Sequence, residues 1–422
     1  MYRNRSTTGS RKVRGGEVAG VRLRVGVRSR TLSLGRLESK CSLERFVLKR
    51  VMTLPVLFLL LAPLVAVAQQ PAGKPELKPT TAADAPTRDT SYIDEKGTAH
   101  VTRVVPVPEN LSEQARLAVA HAEPDQGPPQ PLEERRKRTD EYTARAKEAW
   151  SKICPVTIAE LSIGGVPVHT VTPDNMPFSS HDRVLLNLHG GGFNSDSGSY
   201  TESIPIASYS KVKVVAVLYR LAPEHPFPAA VDDAVTVYKA LLAVYKPEHI
   251  VIYGTSAGAI LTAEVAVKLK QLGLPLPAAL GIFSGVGDFA RPGDSVAMYG
   301  LRGLAGHLDP PEPGAHDPFY AGSTDARDPV LSPIFADLHG MPPTLFITSG
   351  RDMLLSGTAN LHRAFLGAGV DARLVVFDAL PHAFWYDPRL PEAIEANKMM
   401  ADFFVQQLGK KPPAAATNTA TK

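Results

Sequence analysis

The sequence predicts an α/β fold, a mostly parallel central sheet with helices on both faces. Two observations carry it. From Arg183 onward, short apolar runs rich in Val, Ile and Leu alternate with helix-period segments. That is the pattern of strands buried on both faces and joined by crossover helices. Midway, Ile250–Tyr253 leads through Gly254-Thr255-Ser256-Ala257-Gly258 into an apolar helical pattern from Ala259 to about Leu272. A strand, a sharp reversal and a helix thus follow one another with a serine at the apex. The backbone of such a serine is strained, and Gly254 and Gly258 supply the room that a crowded reversal needs on either side. With 422 residues, 44% hydrophobic and 21% charged, the chain can bury one large core of this kind.

Before the body come segments of other character. Residues 1–50 hold 14 Lys and Arg against 3 Glu, a charge of +11, and 51–68 carry none; the formal net of +4 therefore leaves −7 for residues 69–422. The basic balance belongs to the N-terminal extension, which is not expected to join the fold, and nucleic-acid binding by the body is not indicated. Val51–Ala68 is uncharged and mostly apolar, follows Arg45, Lys49 and Arg50, and ends Ala66-Val67-Ala68. These are the parts of a signal peptide cleaved after Ala68, and they predict a periplasmic or secreted product. As a helix the apolar run would reach roughly 25 Å, short for a bilayer core of about 30 Å, so no stable membrane insertion is expected once it is removed. Residues 1–46 are long for a leader's basic region, which points to a translation start near Val47 or Leu48.

Gln69–Val107, dense in Pro, Thr and Ala, reads as a disordered linker. Residues 108–157 contain two helical patterns, Leu111–Ala122 and Leu132–Ile153, separated by a Pro/Gly-rich break at Pro124–Pro131. The second is heavily charged with Trp150 and Ile153 near its end, so one narrow face is expected to pack on something larger. The catalytic body is expected over 158–408. Ile158–Val171 alternates like a hairpin turning at Gly164-Gly165. Strands follow at Val184–Leu188, Val212–Tyr219, Ile250–Tyr253, Ala279–Phe283, Thr344–Thr348 and Arg373–Phe377, with helices over Ala229–Tyr245, Gly357–Gly367 and Pro391–Leu408. The tail 409–422 is low in complexity and reads as disordered. Cys41 and Cys154 are the only cysteines, and Cys41 lies in the extension, so the body has no disulfide framework and no cysteine-based metal site.

Four places carry chemistry. Ser256 is the candidate nucleophile, with the Ala257 N–H beside it at a helix N-terminus, where negative charge is favoured. His189-Gly190-Gly191-Gly192-Phe193 follows the strand Val184–Leu188 directly. Consecutive glycines let backbone N–H groups approach a ligand closely, and Gly191 and Gly192, with Ala257, are the expected donors to an oxyanion. No G-x-x-x-x-G-K-[ST] and no helix-opening G-x-G-x-x-G makes the loop a phosphate site. His382 follows the last strand, where the order Ser…Asp/Glu…His requires the base. For the acid, Asp352 after Thr344–Thr348 is favoured over Asp288, which follows the strand ending at Phe283; Asp378 and Asp387 lie too near His382 in sequence. His382 would take the Ser256 proton while Asp352 fixes the imidazole tautomer. No cofactor and no metal ion is implied.

With these motifs in place, the chain resembles the hormone-sensitive-lipase-like branch of the α/β-hydrolases, among its bacterial carboxylesterases. The likeness rests on His189–Phe193, on Tyr219-Arg220-Leu221-Ala222-Pro223-Glu224-His225-Pro226-Phe227-Pro228-Ala229-Ala230, on Gly254–Gly258, on Asp328-Pro329 and Leu331-Ser332-Pro333, and on Asp352 with His382. It covers roughly Leu161–Leu408. It implies the α/β-hydrolase fold with a helical cap built from the N-terminal helices and an insertion at about 289–327. Within the long run, it makes Arg220 and Glu224 braces near the oxyanion loop and not reacting groups. Three positions depart from the family. Thr255 replaces the commoner Asp and Ala259 replaces Gly, as in a G-T-S-A-G subgroup, and Ser356 stands where a second acid usually follows the triad Asp.

The expected activity is hydrolysis of small short-acyl esters through an acyl-enzyme. A lactone or arylamide/formamide hydrolase would use the same triad, because these differ in pocket shape and not in reacting groups. A hydrolase-like binding protein without activity is disfavoured by the presence of both His382 and Asp352. The expected partner is a small ester; the sequence does not specify an oligomeric state.

Overall fold

The computed structural model describes residues 91–103, 105–120, 131–299 and 319–410. The basic extension, the signal peptide, the linker up to residue 90, most of the Pro/Gly-rich break, residues 300–318 of the expected cap insertion and residues 411–422 of the tail lie outside the described residues. In chain order, a short ladder β1 (Tyr92–Ile93) and β2 (Ala99–His100) precedes α1 (Glu113–Ala120) and α2 (Leu132–Ile153). The body continues β3 (Val156–Ile163), β4 (Val166–Pro173), β5 (Val184–Leu188), α3 (Ser203–Ser210), β6 (Lys213–Val217), α4 (Ala229–Leu242), β7 (Ile250–Thr255) and α5 (Ala257–Gln271). It ends β8 (Ala279–Phe283), α6 (Asp294–Tyr299), β9 (Thr344–Ser349), α7 (Leu355–Gly367), β10 (Ala372–Phe377) and α8 (Pro391–Gln407).

Eight strands form one sheet in the order β10-β9-β8-β7-β5-β6-β4-β3. The six from β10 to β6 are parallel, while β4 runs antiparallel to β6 and β3 to β4. Strand periodicity divides the core. Val184, Leu186, Leu188, Ile250 and Ile252 enter one apolar cluster with Val231 and Ala234 of α4, Leu261 and Val265 of α5 and Leu361 and Phe365 of α7. Leu185, Val251 and Tyr253 point to the other face, with Ile204 of α3, Met400 and Phe404 of α8 and Trp150 of α2. Alternate residues of one strand serve opposite layers, which is why these strands are apolar throughout and not every second residue. The β3–β4 hairpin turns on Gly164 and Gly165, both at positive φ (61° and 86°), as a two-residue primed turn requires.

Three features differ from expectation. Residues 92–100, inside the expected linker, pair as a hairpin because the Asp94 carboxylate accepts the N–H groups of Lys96 and Thr98 and Gly97 adopts positive φ. Helix α3 was not legible, since Ser-Ile-Pro-Ile-Ala-Ser-Tyr-Ser has no helical period; burial of nearly every residue in it shows that packing, not propensity, makes it a helix. The 250s helix starts at Ala257, directly after Ser256, and not at Ala259. Helix α2 behaves as a one-sided face: Thr143, Ala146 and Trp150 are its buried residues. Among the described residues, no helix is long and apolar enough to cross a membrane.

Candidate active site

Strand order places the site. β6 lies on one side of β5 and β7 on the other, so successive crossovers leave β5 in opposite directions and a crevice opens at the carboxyl ends of β5 and β7. Leu188, the last residue of β5, is in register with Gly254, so the glycine loop and the serine turn emerge side by side. Ser256 has φ 57° and ψ −122°, the strained apex that the motif predicts. Its N–H donates to the Phe283 carbonyl at 2.9 Å, tying it to β8. A Cβ at either Gly254 or Gly258 would collide with the Leu188 carbonyl oxygen. The flanking glycines are thus demanded by the neighbouring strand as well as by the turn itself.

The glycine loop is shaped so that two donors face outward. The Gly190 N–H is consumed by Glu202 Oε1 at 3.0 Å. The Gly190 carbonyl accepts the Ser197 N–H, and the Gly191 carbonyl accepts those of Asn194 and Ser195. In a planar trans peptide the N–H points opposite to the C=O, so the N–H groups of Gly191 and Gly192 turn out of the loop. Gly191, Gly192 and Phe193 all have positive φ (122°, 59° and 60°), and a Cβ on Gly191 would strike the Ser195 carbonyl. Ala257 opens α5, whose first N–H groups have no acceptor within the helix. His189 lies beneath the loop, stacked on Tyr219 with centroids 4.1 Å apart, and its carbonyl accepts the Tyr219 hydroxyl at 2.7 Å.

Asp352 and His382 meet directly. His382 Nδ1 lies 2.9 Å from Asp352 Oδ1. Burial pushes the Asp352 carboxyl up, but the charge and hydrogen bond of His382 and bonds from Ser284 and the Leu354 N–H hold it below its ordinary value. Ionised, Asp352 can only accept, so the Nδ1 that faces it carries a proton. The other carboxylate oxygen accepts the hydroxyls of Ser284 and of Thr348. Asp288 does not share this environment: its Oδ1 accepts the N–H groups of Ala290 (3.0 Å) and Arg291 (3.1 Å) in its own turn. Ser356, at the position of the missing second acid, instead exchanges reciprocal bonds with Ser295 of α6.

Several residues that hold these loops were not anticipated. The Trp385 indole N–H donates to Thr255 Oγ1 at 3.0 Å, so the threonine before Ser256 clamps the histidine loop to the serine turn. The neighbouring Tyr386 hydroxyl reaches Glu202 Oε1 at 2.5 Å, and Trp150 of α2 donates its indole N–H to the Tyr386 carbonyl at 2.9 Å. Of the expected braces, Glu224 receives both terminal nitrogens of Arg136 at 2.7 Å, and Arg136 Nε also donates to the Asn194 carbonyl at 2.6 Å. Arg220 works elsewhere, gripping Asp233 of α4 through its backbone N–H and guanidinium. The signal for Glu202 was slight, a single acid among small and apolar residues. Among the described residues, no cluster of three or more His, Cys, Asp or Glu is arranged to hold a metal ion.

Glu202 makes a pH prediction. Burial pushes its carboxyl up from 4.5 to about 7, against the opposing bonds from Tyr386, the Gly190 N–H and Asn187. Between these values the folded state holds a proton that the unfolded chain releases, so this group's contribution falls as pH rises from 4.5 to about 7 and stays low above it. Glu202→Gln removes that slope. Urea unfolding of parent and variant at pH 5 and pH 8 should show the variant gaining on the parent by up to about 3 kcal/mol at the higher pH; an unchanged difference would show that Glu202 titrates normally.

Comparison with known proteins identifies the family. Residues 185–386 match the model of a family described as having the alpha/beta hydrolase fold. An acetyl-hydrolase of Streptomyces hygroscopicus is 32% identical over 273 residues, covering 63% of this chain and 88% of that protein. An esterase of Acinetobacter venetianus is 29% identical, covering 53% of this chain and 75% of that one. Among solved structures, esterase E25 superposes with a TM-score of 0.65 at 32% identity, covering 72% of this chain and 97% of its own. An esterase from the bacterial hormone-sensitive lipase family gives 0.59 at 30% identity, covering 71% and 99%. The chain therefore belongs to the hormone-sensitive-lipase-like esterases of the α/β-hydrolase fold.

Proposed function

We propose that the protein is a serine carboxylesterase of small, short-acyl esters, with Ser256 as nucleophile, His382 as general base and Asp352 as its orienting carboxylate. The observation that carries this reading is the Asp352–His382 contact of 2.9 Å, on a loop clamped to the strained Ser256 turn through Trp385 and Thr255. Nε2 of His382 takes the hydroxyl proton as Ser256 Oγ bonds to the acyl carbon. The N–H groups of Gly191, Gly192 and Ala257 hold the resulting oxyanion, each such donor being worth about 3–4 kcal/mol. The imidazolium then protonates the leaving alkoxide, and water, deprotonated by the same nitrogen, releases the acid and restores Ser256. Helices α1 and α2, with the described residues 289–299 and 319–327, act as the cap, and the apolar run before Gln69 exports the protein to the periplasm or beyond. The acetyl-hydrolase relative supports the short-acyl preference.

A panel of p-nitrophenyl acetate, butyrate and octanoate, a γ-lactone and an arylamide, with a fluorophosphonate to label the nucleophile, tests this. Rates should be highest for acetate or butyrate, with labelling at Ser256. Higher kcat/KM on the lactone or the amide would replace the ester reading; labelling elsewhere would end the triad assignment.

A further inference from the structure

We propose that Glu202 is a positioning residue whose buried carboxyl locks the oxyanion loop to the loop carrying the general base. Four contacts define its setting. Oε1 receives both the Gly190 N–H at 3.0 Å and the Tyr386 hydroxyl at 2.5 Å. Oε2 receives the Asn187 side-chain amide at 2.8 Å, and the Glu202 carbonyl accepts the Tyr253 hydroxyl at 3.3 Å. One oxygen atom is therefore shared by the first glycine of the oxyanion loop and by a tyrosine four residues after His382. Asn187 lies on β5 and Tyr253 on β7, the two strands whose ends frame the crevice.

A purely structural role explains this poorly. The side chain has no access to solvent to speak of, with Glu202 only 3% exposed, and burying a carboxyl is costly where an apolar residue of similar size would fill the space. What a carboxyl does and an apolar side chain cannot is bind two donors from two separate loops at one point. Its removal frees both at once. Gly190 could then rotate its peptide, and because adjoining peptides move together, the outward aim of the Gly191 N–H would be lost. Tyr386 would loosen beside Trp385, whose indole anchors the same turn to Thr255. The loss falls on the transition state, where the oxyanion exists, and not on the bound ester.

This role rests on the serine-esterase reading above, and the experiment separates the two. Glu202→Ala, Glu202→Gln and Tyr386→Phe are compared with the parent for kcat, KM, inhibition by an aryl boronic acid and labelling by a fluorophosphonate. Glu202→Ala should lower kcat by about 30- to 100-fold with KM within about three-fold, and boronic-acid affinity should fall in step with kcat. Glu202→Gln, whose amide oxygen can still accept from Gly190 and Tyr386, should recover at least about ten-fold of that loss. Tyr386→Phe should lower kcat by about five-fold, and the Glu202→Gln/Tyr386→Phe pair should fall short of the product of the single effects, because both act through one link. If Glu202→Ala does not fold, the last two results decide alone. Unchanged kcat in the variants, losses confined to KM, equal impairment of the Ala and Gln variants, or full multiplicativity of the pair would overturn the proposal. Failure of the parent to label at Ser256 would instead overturn the serine reading beneath it.

Discussion

Replacing Ser256 by Ala is expected to lower kcat/KM for p-nitrophenyl acetate by roughly 10³-fold or more. The residue remaining at the apex cannot form the acyl-enzyme, and what survives is catalysis by oriented donors and binding alone. The substitution should leave the fold intact. Ala meets the same positive φ of 57° that Ser already tolerates, so no new backbone strain enters, and the N–H bond to the Phe283 carbonyl is a main-chain contact that survives. Circular dichroism and thermal unfolding matching the parent, with esterase activity lost, is the expected pair of results. Retention of most of the activity would show that another group attacks the ester.

Asp352→Asn is expected to cost roughly 10²- to 10⁴-fold in kcat, and Asp288→Asn less than about three-fold. The first change keeps most of the geometry. The amide oxygen can stay toward His382 and the Leu354 N–H, since the hydroxyls of Ser284 and Thr348, which now donate to the carboxylate, can turn and accept from the new amine. What is lost is the negative charge, buried at 0% exposure, that stabilises the imidazolium formed during attack. The same charge bears on stability. Because the folded value is held below the ordinary 3.8, its contribution is complete above that pH and is lost as acid protonates it. Asp288, by contrast, caps its own turn, a task Asn performs equally well. Equal losses in the two variants, or the reverse order, would show that the base takes its orientation from elsewhere.

The parts of the site that lie on one stretch of chain were legible; those that depend on convergence were not. The serine turn needs a glycine on each side wherever it occurs, and Gly254 and Gly258 could be read as such without coordinates. The Gly190–Gly192 run could be read the same way as a sharply bent loop, and Gly191 and Gly192 take positive φ. Chain order alone favours Asp352 over Asp288, and the structure sets the Asp352 carboxylate 2.9 Å from His382. Arg220 and Glu224 were read together as braces of one loop, yet only Glu224 serves it, and it does so through Arg136, 88 residues earlier. No local pattern encodes such a partner. Thr255 looked like a mere departure from the usual Asp until its oxygen was seen to accept from Trp385, 130 residues away.

By itself the sequence determined the class of sheet, the strained serine turn and the left-handed bends of the glycine loop, because strand periodicity, left-handed backbone and chain order are local or serial properties that residue types dictate directly. Helix α3, the burial of Glu202 and the clamp between the histidine and serine loops were decided only by the tertiary structure. Each is stabilised by groups distant in the chain, and the free energy of such contacts exists only once the sheet has brought the ends of β5, β7, β8 and β9 together.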